Sequence, residues 1–180
     1  MEDLSLHILD IAENSIQAGA SLVIIRIHEN IPENCLTLII EDNGRGMNQA
    51  IADKAKDPFF TTRTTRRIGL GLALLEQSAK EANGTIEITS ESKKGTRIVA
   101  TFENSHIDRK PLGNIVDTLI TLIAGNPDRD FLFEYVQNNR KVYSLNTSQI
   151  KSELGSIPIS DILILEAIKN DVEQGLETLL

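Results

Sequence analysis

The pattern of this 180-residue chain predicts an α+β fold in which helices alternate with antiparallel strand pairs. Apolar residues recur at helical spacing in four separate stretches, and three pairs of short β-prone segments are joined by turn-forming residues. In addition, three acid and glycine signatures follow one another between Asp10 and Thr96, one along a helix, one at a strand end and one opening a helix. Singly they mean little; together they describe a nucleotide pocket.

Taken in order, residues 2–18 read as a helix with Leu9, Ala12 and Ile16 as an apolar stripe and Asp10, Asn14 and Gln17 on another face. Gly19 stops it. Residues 22–28 and 36–41 read as a hairpin around Asn30, Pro32, Glu33 and Asn34, and the second strand delivers Asp42 into the glycine turn Asn43-Gly44-Arg45-Gly46-Met47. Residues 48–67 lack periodicity and read as a long functional loop able to act as a lid. A helix over 70–82 turns Leu72, Leu75 and Ala79 to the core and ends at Asn83-Gly84. Residues 85–90 and 96–102 form a second hairpin through Lys93-Lys94-Gly95.

Composition shifts after Glu103, which predicts residues 1–104 as one domain and 105–180 as a small C-terminal α/β extension. Within the extension, residues 112–124 read as a helix, 131–136 and 141–145 as a hairpin around Asn138-Asn139, and 159–179 as a last helix. In that helix Ile162, Leu165, Ile168 and Val172 stand at helical spacing, an apolar face for the core or for a homodimer contact.

The bulk numbers exclude several function classes. A net charge of −8 and a pI near 4.9 oppose nonspecific nucleic-acid binding, which needs surplus Lys and Arg to neutralise phosphates. The single cysteine, Cys35, forms no internal disulfide and fits a reducing compartment as a small buried apolar side chain. No stretch approaches the roughly 20 apolar residues of a membrane span, so the expectation is a cytoplasmic protein without membrane or nucleic-acid partners.

The signatures themselves carry chemistry. Gly69-Leu70-Gly71-Leu72 opens a helix, where backbone N–H groups and the positive dipole end favour phosphate. Asp42 either caps its own turn or accepts a hydrogen bond from an exocyclic amine, and the company of the other motifs favours the second. Asn14 offers a neutral oxygen to a hard cation, and Asp10, one helical turn away, can accept a proton from a nucleophile. Arg63 and Arg67 are either partners of a terminal phosphate on lid closure or a solvated basic loop. His7 reads as a surface or structural residue, and His7, His28 and His106 match no metal-ligand spacing.

The set resembles the Bergerat-fold ATPases, the superfamily of gyrase, heat-shock chaperone, histidine kinase and mismatch-repair ATPases. Residues 10–20 (DIAENSIQAGA) resemble the N-box in its mismatch-repair form, and residues 41–47 (EDNGRGM) the first glycine box. Residues 57–63 (DPFFTTR) and 68–72 (IGLGL) look like the phenylalanine box and second glycine box of sensor kinases, and Gly95-Thr96 matches the late glycine-threonine element. The resemblance spans roughly residues 2–104 and implies a two-layer α/β sandwich, helices on one face of a mixed, largely antiparallel sheet. It further implies ATP and magnesium as cofactors. Asn14 would hold the metal, Asp42 would read adenine between Gly44 and Gly46, and Gly69 and Gly71 would contact phosphates. Thr96 would support the adenine end, with Met47, Phe59, Leu70 and Leu72 in the nucleotide-binding set.

Two positions depart from the family pattern. Arg67 stands where second glycine boxes of sensor kinases begin with another glycine, and Asp10 stands where families with a water or hydroxyl nucleophile have Glu. The N-box helix opens this sequence with no phospho-accepting histidine hairpin before it, so the expectation is a chain that is not a self-contained sensor kinase. An imidazole is nucleophilic when neutral, whereas water and serine need a base. Asp10 therefore favours an ATPase, or a kinase acting on a Ser or Thr of a separate partner over a His in trans, with Asp10, Arg63 and Arg67 as the catalytic set. The alternative is a non-catalytic, ATP-gated switch that binds a regulatory protein.

Overall fold

The computed structural model describes residues 1–47 and 70–177; the expected lid, with Phe59, Arg63, Arg67 and Gly69, and the last predicted helical residues lie outside them. Helix α1 (Leu4–Gln17) is followed by β1 (Leu22–Asn30), β2 (Cys35–Asp42) and α2 (Leu70–Glu81). Next come β3 (Ile86–Glu91), β4 (Gly95–Glu103), α3 (Ile115–Gly125), β5 (Asp130–Gln137), β6 (Arg140–Asn146), α4 (Thr147–Leu154) and α5 (Ile162–Glu177).

The described strands form one sheet in the order β3-β4-β2-β1-β5-β6. Every neighbouring pair is antiparallel except β1 and β5, which run parallel with Ile25 opposite Phe133. The sheet is therefore mixed and largely antiparallel, and with its helices it makes the expected two-layer α+β sandwich. Alternation explains the layering: Val23, Ile25 and Ile27 of β1 register with Phe131, Phe133 and Tyr135 of β5, and all six are buried. Leu36, Leu38 and Ile40 of β2 meet Phe102, Ala100 and Ile98 of β4 on the same face. The helices cover that face: α1 packs on β1 and β2 and against α2 and α3, α4 packs on β5, and α5 packs on β6 and α3.

The opposite face carries an ion-pair row. Arg26 bridges Glu41 at 2.6 Å and Glu134 at 2.7 Å, and Arg97 and Lys141 join from the flanking strands. The extension thus continues the sheet across β1 and contributes Ile115, Leu119, Phe131, Phe133, Ile168 and Val172 to the same core cluster. Its strands turn at Asn138 and Asn139, both at positive φ (49° and 63°), a pair suited to a two-residue hairpin.

Several details differ from the sequence reading. The face of α1 that is buried runs through Leu4, Ile8, Ile11, Ala12 and Ser15, while Leu9 and Ile16 flank it half-buried. Two overlapping stripes satisfy helical spacing here, and only the sheet beneath selects between them. Of the two alternatives left for His7, surface or structural, its burial at 1% exposure selects the structural one. Cys35 is only partly buried, because it starts β2 on the face away from the helices. In α5, Ile168 and Val172 are buried but Ile162 is 80% exposed, since the first turn overhangs the core. Helix α4 falls where the sequence reading places no element; Asn146 caps it by accepting from the N–H groups of Ser148 and Gln149.

Candidate nucleotide site

The site forms where the end of α1, the end of β2, the β3–β4 turn and the start of α2 converge. Helix α1 is fixed at both ends. Asp3 caps its first turn, and the N–H groups of Leu4 and Ser5 donate to Pro111 O and Leu112 O, each at 2.9 Å, so the segment after β4 holds the helix in place. At its other end Arg45 N–H donates to Ala18 O at 3.0 Å, tying the glycine turn to the helix. Asn43 completes the anchor: its Oδ1 accepts from the N–H groups of Ser21 and Leu22, both at 2.9 Å.

Asp42 leaves β2 on the helix-covered face and is held at both oxygens. Oδ1 accepts the N–H of Gly44 at 2.8 Å, and Oδ2 accepts the hydroxyl of Ser15 at 2.8 Å. The turn cap and the outward acid are therefore one arrangement: the cap orients the carboxylate and leaves its remaining lone pairs for a ligand. Its neighbour Glu41 points to the opposite face, in the Arg26 row.

Asp42, Thr96 and Ser90 form one row across three strands, with Asp42 opposite Thr96 and Thr96 opposite Ser90. Ser90 Oγ lies 2.9 Å from Thr96 Oγ1 and accepts the N–H of Met47 at 2.8 Å. Ser15 and Ser90 hold residues of the candidate site, and the sequence reading singled out neither. Ser15 was legible as part of the N-box, whereas Ser90 pairs with a residue 43 positions away and left no local signal.

Two glycines owe their identity to backbone approach. Gly46 (φ +60°) would place a Cβ on Glu91 O, and Gly95 (φ +101°) on Asp42 O, so the two glycine turns pack back to back. Lys93 N–H seals them by donating to Arg45 O at 2.7 Å.

At the other end of the site, Asn14 Nδ2 donates to Asp10 Oδ2 at 3.3 Å across one helical turn. A Cβ on Gly71 would fall on Asp10 Oδ2, which sets the start of α2 directly against this pair. Leu72 is half-buried against the core. His7, one turn before Asp10, has no partner for Nδ1 among the described residues, and burial, with the N-terminal amine, pulls its pKa down to about 4. Among the described residues no group of three or more His, Cys, Asp or Glu side chains could hold a metal, and no helix is long and apolar enough to cross a membrane.

A one-sided mixed sheet with a polar helix pair facing a helix N-terminus, and an anchored acid at the adjoining strand end, defines a nucleotide-binding sandwich. Residues 2–106 match the family of histidine kinase-, DNA gyrase B- and HSP90-like ATPases, and the chain belongs to that family through an ATP-binding domain. A sensor protein of Shewanella frigidimarina is 32% identical over 103 residues, covering 57% of this chain and 15% of that protein. The tetrathionate sensor histidine kinase TtrS of Salmonella typhimurium is 33% identical over 79 residues, covering 44% of this chain and 13% of that protein. The chain thus spans less than a fifth of these relatives. Among solved structures it is similar to the N-terminal domain of a DNA repair protein (TM-score 0.56, 16% identity, 81% of this chain and 53% of that one). It is also similar to the Aquifex aeolicus MutL ATPase domain complexed with ADP (TM-score 0.50, 16% identity, 86% of this chain and 68% of that one). At such identity these two speak for the fold.

Proposed function

We propose that this chain binds magnesium ATP and acts as an ATPase, or as a kinase toward a separate protein, in a reducing cytosol. The observation that carries the reading is the placement of the Asp10–Asn14 pair against the first turn of α2, one residue along α1 from the Ser15–Asp42 contact. One helix turn thereby serves both ends of a nucleotide.

In this reading the Asp42 carboxylate accepts from the adenine amino group, with Gly44, Gly46, Met47 and Thr96 around the base. The N–H groups of Gly69, Leu70, Gly71 and Leu72 take phosphate oxygens at the positive end of α2. Asn14 fits magnesium: its Nδ2 is spent on Asp10, which turns the carbonyl oxygen Oδ1 outward as a hard ligand. The metal, when bound with nucleotide, neutralises phosphate charge. Asp10 accepts the proton of the attacking water or hydroxyl, Arg63 and Arg67 pair with the terminal phosphate, and Phe59 belongs to the nucleotide-binding set. In this reading the phospho-acceptor, or the regulator in the switch alternative, belongs to a separate protein.

The test is phosphate release from magnesium ATP, with γ-labelled ATP to detect phosphoprotein, for the parent, Asn14→Ala and Asp10→Asn. The reading expects loss of turnover in both variants, by about 100-fold or more for Asp10→Asn, with ATP binding retained in Asp10→Asn. Binding without release in the parent would favour the ATP-gated switch, and turnover unchanged in Asp10→Asn would remove Asp10 from the mechanism.

A further inference from the structure

The hydroxyl of Ser90 stands directly behind two residues proposed to surround the base, Met47 and Thr96. Ser90 Oγ has three neighbours besides its own carbon: the N–H of Met47 at 2.8 Å, Gly95 O at 3.0 Å and Thr96 Oγ1 at 2.9 Å. A serine hydroxyl owns one proton and two acceptor sites. Met47 N–H fills one acceptor site. Gly95 O, a carbonyl, can only receive the proton. The remaining acceptor site then faces Thr96, so the assignment that serves all three neighbours has the Thr96 hydroxyl donating to Ser90. This arrangement satisfies all three neighbours at once; the reverse, with Ser90 donating to Thr96, takes the hydroxyl proton away from Gly95 O.

The consequence falls on Thr96. Its single proton is committed to Ser90, so Oγ1 presents only lone pairs to the site. Asp42, the cross-strand neighbour of Thr96 on the same face, presents a carboxylate, also an acceptor. Two acceptors side by side match a group with two donor hydrogens, an exocyclic NH2, and oppose a carbonyl oxygen in the same place.

We propose that Ser90 is a specificity-determining positioning residue: by fixing the Thr96 proton it makes the base end of the site doubly accepting, selecting 6-amino over 6-oxo purines. This rests on the reading of Asp42 as the adenine contact. Ser90 also ties the glycine turn at Met47 to the β3–β4 turn, so its removal has a structural component, and a ratio between two nucleotides separates the two effects.

The experiment is calorimetric titration of the full chain with magnesium ATP and with magnesium inosine triphosphate, which carries a carbonyl where ATP carries the amine. The parent should favour ATP by roughly 100-fold, the scale of a contact left unpaired. Ser90→Ala frees the Thr96 proton to turn toward a carbonyl, so the ratio should shrink about tenfold, chiefly through a gain in inosine triphosphate affinity. Ser90→Thr, which keeps the hydroxyl, should restore the parent ratio. Thr96→Val, which removes the acceptor without changing side-chain shape, should lower ATP affinity and narrow the ratio even if Ser90→Ala fails to fold. Equal losses for both nucleotides in Ser90→Ala, with the ratio unchanged, overturn the proposal and leave the nucleotide site standing. A parent that binds neither nucleotide, or both alike, overturns the reading of Asp42 and the proposal with it.

Discussion

The carboxylate of Asp10 occupies the space that a side chain on Gly71 would need. A Cβ built on Gly71 meets Asp10 Oδ2 and then Cγ at 3.0 Å, with Asn14 Nδ2 at 3.8 Å. The glycine at position 71 thus has a reason inside the protein before any phosphate is considered: α2 starts against α1, and a side chain there has to displace the Asp10 carboxylate.

Gly71→Ala should therefore behave against its helix propensity. Replacing a helical glycine by alanine ordinarily stabilises by about 1 kcal/mol, but here the methyl displaces a carboxylate, and overpacking of this kind costs about 1–3 kcal/mol. Urea unfolding should show net destabilisation. The double variant Gly71→Ala with Asp10→Ala should recover stability and remain without turnover, a coupling that a double-mutant cycle measures.

Asp42→Asn should weaken ATP binding by about 100-fold, because an amide cannot accept from Ser15, from Gly44 and from an exocyclic amine at once. Ser15→Ala leaves the carboxylate but loosens it, with an expected loss of about tenfold. Titration calorimetry orders the two, and a Ser15→Ala loss as large as that of Asp42→Asn would place the base contact on Ser15 instead.

Stability should fall with acid through His7. Its folded pKa lies near 4, lowered by burial and then by the N-terminal amine, against an ordinary 6.5. Between these values the unfolded chain binds the proton and the folded chain does not. Each unit of pH lost in that window costs up to about 1.4 kcal/mol. His28, lowered by burial and Arg26, acts in the same direction. At Glu29 burial raises the pKa, but hydrogen bonds from Gln137, Tyr135 and Asn104 outweigh it, and Glu134 is lowered by Lys141 despite burial. The stability these carboxylates contribute is present above their ordinary value near 4.5 and lost below it. Urea midpoints at pH 7.5, 6 and 5 therefore isolate the histidines, and His7→Leu should flatten the slope; an unchanged slope would refute the assignment.

Phe133→Ala tests whether the extension and the nucleotide domain unfold together. Phe133 is fully buried and lies opposite Ile25 across the parallel β1–β5 pair. Its truncation should cost about 3–5 kcal/mol, and loss of ATP binding should coincide with loss of helical signal in denaturant. Two separated transitions would indicate that residues 1–104 hold their fold alone.

The sequence by itself determined the elements and the motif set, because both are written locally. Periodicities of 3.6 and 2 identify helices and strands without reference to distant residues, and Gly19 (φ +82°), Asn138 and Asn139 mark turns through their tolerance of positive φ. Asp10, Asn14, Asp42 and Gly71 were legible for the same reason: each sits at a fixed spacing on one element. Helix α4 was not, since its apolar residues Ile150 and Leu154 make too short a stripe to stand out from a loop.

Only the tertiary structure decided what crosses between elements. It chose Ile8 and Ile11 over Leu9 and Ile16 as the buried face of α1, sank His7 into the interior, and laid β5 parallel to β1 at the sheet's open edge. It brought Ser15 to Asp42, Ser90 to Met47 and Gly71 to Asp10, contacts between residues 27 or more positions apart. Such contacts depend on which surfaces the chain can bury together and on closing the loops between them. A local pattern carries no record of that choice.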